Sequence, residues 1–241
     1  MDKLFKKPSH NAQSVMKYLD CPCEYFPAGS SVSAVTNDYD DAFAKREIGG
    51  YTPIIFVIEE YMDFDEGQSS ADLQKQVFAA PPIDAREWFE KVLSSYKEDY
   101  GEDWNDVVGE IENGQPMTAL SGFVNFGTRK SWECVLAKIP VKNPWEIFAW
   151  FPFGGWNECP APEEMLWIGM YWYEKYGAVP AVMTRDVLEF SAHPIRDKSA
   201  ALGLALEQFA FCSDIVFQGV DTIGCLADSL TKSSVWYFWW D

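Results

Sequence analysis

The sequence predicts an α/β fold, with α+β as the variant, in which a sheet is covered by helices. Three observations point there. In "YTPIIFVIEE" the run from Ile54 to Ile58 is apolar and β-branched, the mark of a strand covered on both faces. A helical stretch that stops at Gly49-Gly50 leads straight into it. Further on, the order of elements reads β-α-β-β-α-α-β, near the split βαβ type, and ends on a buried closing strand at 235–240.

The elements follow in chain order. "HNAQSVMKYLDC" (10–21) is a short helix with Val15, Met16 and Leu19 at helical spacing. Residues 37–50 form a second, with Asn37 or Asp38 as its N-cap. After the strand, the acidic "EEYMDFDEGQSS" reads as a strand exit and loop. Residues 84–99 are amphipathic, with Asp84 at the start and Trp88, Val92, Leu93 and Tyr96 toward one face. Residues 103–114 give a short helix stopping near Gly114. Seven acids and no base fall in 98–112, so that stretch must face solvent. Residues 115–140 alternate loosely and read as one or two strands, including "SWECVLAKIP". A boundary near Lys142 to Pro144 divides an N-terminal α/β region, 1–143, from a C-terminal domain, 144–241, and the two can pack as one unit.

Beyond that boundary, 146–151 reads as a strand followed by a Gly-Gly turn. "APEEMLWIGMYWYEKYG" is a helix, with Pro162, Glu163 and Glu164 suited to its first turn and Lys175 and Gly177 to its end. Residues 178–192 read as a hairpin around Arg185-Asp186. A helix follows with Pro194 at its beginning, then another with Asp221 or Thr222 as N-cap. "VWYFWWD" (235–241) is too short to span a bilayer. Exposed, it would invite edge pairing. It is therefore expected to be an inner strand, flanked on both sides, with Trp236, Phe238 and Trp240 on one face and Tyr237 and Trp239 on the other.

Composition narrows the function. The chain has 241 residues, 48% of them apolar and 16% aromatic, including 11 Trp, ample for a core. Its net charge is −18, spread along the chain: 13 basic against 24 acidic residues in 1–140, and 6 against 13 in 141–241. Such a surface repels phosphate backbones and anionic lipid, so nucleic acid and membrane are poor partners and a basic protein is an easier one. No stretch has the length of a membrane span, and the start lacks a signal-peptide core, so a cytoplasmic location is expected. The six cysteines are then expected as free thiols.

No catalytic set is recognisable. Cys21-Pro22-Cys23 has no second pair at zinc spacing, the only histidines are His10 and His193, and neither phosphate-loop glycine pattern occurs. No cofactor or metal is expected. Carboxylates are the remaining candidates. Glu207 lies in "AALGLALEQFAFC", a helix apolar nearly all round, where an ionised group is costly unless paired. Asp214 follows seven residues on, and Asp241 is the last residue. Two readings stay open. Glu207 either reaches the helix edge or bonds an indole N–H, or else Glu207 and Asp214 line a Trp-rich pocket with Trp156, Asn157, Gln218, Trp240 and Asp241.

The third of the chain around these residues is similar to a known family. "WYEKYGAVPAVMTRDVLEF", "ALEQFAFCSDIVFQGVDTIGCLADSL" and "VWYFWWD" together resemble the bacterial family called domain of unknown function 4253. The residues that carry it are Trp172, Gly177 and Ala178; Glu207, Phe209, Phe211, Cys212 and Asp214; Gln218 and Gly219; and Trp236, Phe238, Trp239, Trp240 and Asp241. The resemblance covers about 145–241, with "PFGGWNECP" upstream, and is only loose before it. The family has no established activity, so it implies no catalytic residue. The leading expectation is a non-enzymatic acidic binding protein, and a specific version of it is an immunity-type role toward a basic toxin. The alternatives are an enzyme using Glu207 and Asp214 as acid and base, and a structural or oligomerisation module.

Overall fold

The computed structural model describes residues 7–59 and 69–241. A six-stranded mixed sheet runs through it. Its strands are β1 (Cys23–Phe26), β2 (Thr52–Val57), β5 (Cys134–Ile139), β6 (Val179–Met183), β7 (Val187–Ser191) and β8 (Val235–Trp239). They lie in the order β1-β5-β2-β6-β7-β8, and β3 (Val124–Asn125) pairs with β4 (Lys130–Ser131) in a separate hairpin. Strands β2 and β6 are parallel; the other pairs are antiparallel. Three sheet strands come from each side of residue 143, joined by the β2–β6 pair.

All six residues of β2 are buried, because both faces are covered. Ile54 and Phe56 face one core together with Leu188, Phe190, Trp236 and Phe238. Ile55 and Val57 face the other, against Val35, Tyr39 and Ala42 of α2 (Val32–Gly49) and Phe123. The first core is closed by α1 (His10–Leu19), α4 (Ala85–Tyr100), α6 (Pro162–Tyr176), α7 (Lys198–Phe211) and α8 (Ile223–Leu230).

Several helix ends follow their sequence signals. Asp84 caps α4 by accepting the N–H groups of Arg86 and Glu87. Pro162 opens α6, and Gly177, at φ 70°, closes it in the left-handed conformation. Thr222 caps α8 through the N–H of Cys225. The seven acids of 98–112 are all exposed.

Other expectations are corrected. The segment expected as a strand at 146–151 is a 3-10 helix, Pro144–Ala149. Pro144 suits a helical first turn, and Ile147, Phe148 and Ala149 are buried from it against α6. A Cβ at Gly169 would lie 2.9 Å from the Phe148 ring, so that helix must carry glycine there. Helix α2 starts five residues before Asn37, after Ser31, because Val35, Tyr39 and Ala42 form its buried stripe. Helix α7 starts at Lys198, where Asp197 accepts the N–H of Ala200; Pro194 lies outside it. The short helix α5 (Trp104–Val108) stops at Gly109, at φ 63°, rather than near Gly114. Gly114 instead is held against α8 by a bond from its N–H to Asp228.

The hairpin of β6 and β7 is present, but its loop is Thr184–Asp186, with Thr184 Oγ1 accepting the N–H groups of Asp186 and Val187. Helix α3 (Ser70–Ala79) and strand β1 were not foreseen; α3 opens on a capping box between Ser69 and Asp72. Residues 60–68 of the expected acidic loop lie outside the described residues.

The closing strand β8 corrects the inner-strand expectation. Its faces are as expected: Trp236, Phe238 and Trp240 are at most 1% exposed, while Tyr237 and Trp239 face the other way, half-buried. Yet among the described residues β8 is the edge of the sheet and pairs only with β7. Its outer side is met by other chain: the Val235 N–H donates to Met117 O, and the Cys212 thiol donates to Trp239 O. These contacts obstruct the edge pairing that such an aromatic strand would otherwise invite.

Trp172 is the hub of the larger core. Its ring stacks on Phe89 and Phe238, with centroids 5.7 and 5.6 Å away, and meets Phe211 and Trp236 edge-on at 4.9 and 5.5 Å. Trp172→Ala should destabilise the protein by about 3–5 kcal/mol, the range for emptying a large aromatic site. Urea unfolding measures it; a loss below about 1 kcal/mol would mean that the cluster refills the space.

Candidate functional site

The residues singled out from sequence fall into two groups. Glu207 sits on α7 and faces α6. Its Oε2 accepts the Trp172 indole N–H at 3.1 Å, and its Oε1 accepts the Tyr171 hydroxyl at 2.8 Å and the Lys175 ammonium at 2.7 Å. Lys175 also donates to the Tyr171 hydroxyl. The indole bond foreseen for Glu207 is therefore present, and an ion pair accompanies it.

Asp214 belongs to the second group. One of its oxygens accepts the Gln218 amide at 3.0 Å and the other the N–H of Asp241 at 3.1 Å. Asn157, in a left-handed conformation at φ 47°, donates to Asp241 O. Asn157, Asp214, Gln218 and Asp241 thus fasten the end of β8. Trp240 is buried among Phe153, Phe211 and Phe238, and Trp156 is half-buried against the same core. No hydrogen bond or ion pair joins Glu207 to Asp214 among the described residues.

A cavity of about 1090 Å³ lies elsewhere, where the parallel strands β2 and β6 end. Ligands in open α/β sheets gather outside the carboxyl ends of strands. Its charged walls are Glu59, just past β2, Glu133, just before β5, and Asp186, in the β6–β7 loop. No Lys, Arg or His lines it among the described residues. Its aromatic walls are Phe126 and Trp132, on the β3–β4 hairpin and just after it, with Tyr237 and Trp239 from the solvent-side face of β8.

Each carboxylate is held in place by part of itself. The Ile58 N–H donates to Glu133 O at 2.8 Å and so sets the ends of β2 and β5 side by side. Glu133 Oε1 accepts the Tyr25 hydroxyl at 2.6 Å and the Ser9 N–H at 3.0 Å. Glu59 Oε1 accepts the Arg185 N–H at 3.1 Å. The second oxygens of both glutamates have no partner among the described residues. Asp186 accepts the Thr184 hydroxyl at 3.0 Å and orients the Trp239 ring through its indole N–H at 3.3 Å.

Beneath the cavity lies Glu189, fully buried on β7. Both its oxygens accept the Ser121 N–H at 3.0 Å, and one accepts the Ser121 hydroxyl at 2.8 Å. Burial raises its pKa, and the N–H groups of Gly122 and Ser121 with the Ser121 hydroxyl pull it part of the way back. Stability linked to this group is fullest below the unfolded-state pKa and is lost as pH rises through the folded one. Burial, then Glu189 and Asp186, push the Tyr237 hydroxyl up to about 12, so it stays a donor at neutral pH.

Glu189 secures the segment that floors the cavity. Glu189→Ala strips the half-buried Ser121 groups of their acceptor, and the expected loss is about 1–3 kcal/mol. Hydrogen exchange at the Ser121 and Gly122 amides reports it directly, and unchanged protection there would contradict the role.

Sequence reasoning missed this site. In "VLEFSA", Glu189 alternates with Leu188 and Phe190 and so looks solvent-facing; the segment covering it arrives from residues 117–123, far along the chain. Glu59 and Glu133 carry no local signal, because strand pairing alone joins them. Among the described residues no three His, Cys, Asp or Glu side chains converge to hold a metal ion.

No curated protein and no solved structure matches the chain. A family model does match part of it, beginning in β5, about ten residues earlier than the resemblance suggested, and running to the last residue. Of the cavity walls, Asp186, Tyr237 and Trp239 fall inside that match, and Glu59, Phe126, Trp132 and Glu133 fall before it. Residues 135–241 of this chain are a match to the family described as Domain of unknown function (DUF4253).

Proposed function

We propose that this is a non-enzymatic, cytoplasmic binding protein whose partner is a basic protein, in an immunity-type role toward a basic toxin. The observation that carries the reading is the single sign of charge in the cavity at the ends of β2 and β6, where every charged wall among the described residues is a carboxylate. The net charge of −18 supports it, since complementary charge speeds encounter and suppresses wrong partners. The cavity is of the size that binding sites occupy, roughly 300–1,000 Å³ or slightly above. The enzymatic reading rested on Glu207 and Asp214 as acid and base, and their hydrogen bonds engage them with different neighbours.

Immobilised full-length protein, exposed to extract of its source cells at low salt, should retain a basic protein and release it as salt is raised. Retention of nothing, or of a partner insensitive to salt, would contradict the proposal.

A further inference from the structure

We infer that the cavity between the β3–β4 hairpin and the ends of β2 and β6 is a docking site for an arginine side chain on an extended segment of the partner. This deepens the binding reading above and rests on it. Four features of the cavity carry the argument.

First, its charge is uncompensated among the described residues. Glu59 and Glu133 stand at adjacent strand ends, joined through the Ile58 to Glu133 backbone bond, with no cation lining the space among the described residues. Each has one oxygen engaged and one without a partner there. A cation that enters the space is attracted by both carboxylates.

Second, the free acceptors are held rather than mobile. Glu133 is fixed by the Tyr25 hydroxyl and the Ser9 N–H, and Glu59 by the Arg185 N–H. Their second oxygens are therefore presented with little further loss of side-chain freedom, which is what preorganised recognition requires.

Third, aromatic surface is exposed at the same place. Phe126 is 75% exposed and Trp132 47%, and both line the cavity. Large apolar groups exposed together around a concavity mark interaction sites. Aromatic faces also attract cations, arginine more often than lysine. A guanidinium further matches carboxylate oxygens with a planar fork of donors, which an ammonium lacks.

Fourth, the space is larger than one side chain needs. At about 1090 Å³ it admits a few residues of extended chain around the cation. Addition of that chain as a further strand on β8 is obstructed, because Val235 N–H and Trp239 O are already bonded to Met117 and Cys212. The occupant is therefore recognised by its side chain and by contact with the rings of Trp132 and Phe126, rather than by sheet extension.

The test is calorimetric titration of the full chain with a short peptide blocked at both ends. One version carries a single central arginine, a second a lysine, and a third the uncharged isostere citrulline. The arginine peptide should bind best, lysine more weakly, and citrulline at least about tenfold more weakly than arginine. Glu59→Gln combined with Glu133→Gln should weaken the arginine peptide at least about tenfold. The glutamine at 133 keeps an acceptor for Tyr25, and a melting curve verifies folding. Trp132→Ala, at an exposed position, is a second variant independent of that bond and should weaken it several-fold. Glu102→Gln, an exposed acid away from the cavity, should change little.

If Glu102→Gln weakens the arginine peptide as much as the double variant does, attraction is diffuse and the docking inference falls while the binding reading stands. Equal binding of arginine and citrulline peptides, or no binding of any, also overturns it. The salt-released capture of a basic protein then decides the broader reading separately.

Discussion

Removing residues 236–241 should abolish soluble folding. The deletion takes Trp236, Phe238 and Trp240 together, each at most 1% exposed. Emptying one large aromatic site costs about 3–5 kcal/mol, and a domain typically holds only about 5–15 kcal/mol in all. The deletion also bares β7, which would lose its pairing from Val187 to Phe190, and it leaves Trp172 without its stacking partner Phe238 and its edge contact Trp236. The Cys212 thiol and the Asp214 carboxylate lose the acceptor and donor that now fasten the end of β8. Expression of the truncated chain followed by a thermal melt decides it: insoluble or non-cooperative material is expected, and a soluble chain with a sharp melt would refute the placement of β8.

The region that matches the family model should not fold by itself, either. Residues 135–241 include nearly all of β5 but neither of its partners, β1 and β2. In the sheet β2 lies between β5 and β6, so the isolated region would carry a gap one strand wide, with the hydrogen-bonding sides of two strands open. Ile54 and Phe56 would be missing from the core that Trp172 organises. Produced alone, 135–241 is expected to aggregate or remain unfolded, and co-expression with 1–134 should recover a soluble complex. A fragment that is soluble, monomeric and cooperative without 1–134 would show that the strands can close up without β2.

Much of this architecture was legible because the signals were local. The uninterrupted apolar run at Ile54 to Ile58 announced a strand covered on both faces, and β2 is one. Asp84, Pro162, Gly177 and Thr222 marked helix ends by chemistry that acts within one turn. The errors arose where longer-range packing decided. At 146–151, the short apolar run "EIFAWF" suited a strand as well as a tight helix, and the close approach that Gly169 permits settled it. For "VWYFWWD" the alternation correctly assigned the two faces, but side-chain pattern carries no information on how many neighbours a strand has.

The site was the least legible part. Glu207 drew notice because an acid within an apolar helix is costly, Asp214 by its spacing from it, Asp241 as the last residue and Gln218 through the family resemblance, and each has found hydrogen-bond partners. The cavity carboxylates drew none, since Glu59, Glu133 and Asp186 sit in ordinary-looking polar positions. Sheet order brings them together: the β5–β2–β6 neighbourhood gathers three loops that are more than fifty residues apart along the chain.

The central claim is that the cavity at the ends of β2 and β6 is the binding face. Its most direct test is a two-dimensional amide and indole NMR spectrum of the isotope-labelled full chain during titration with the blocked arginine peptide. Saturable shifts are expected at the indole N–H groups of Trp132 and Trp239 and at the amides of Glu59, Ser121 and Glu133, with those of residues 98–112 unmoved. Shifts confined to the exposed acids of 98–112, or clustered around Glu207 and Asp241, would contradict it.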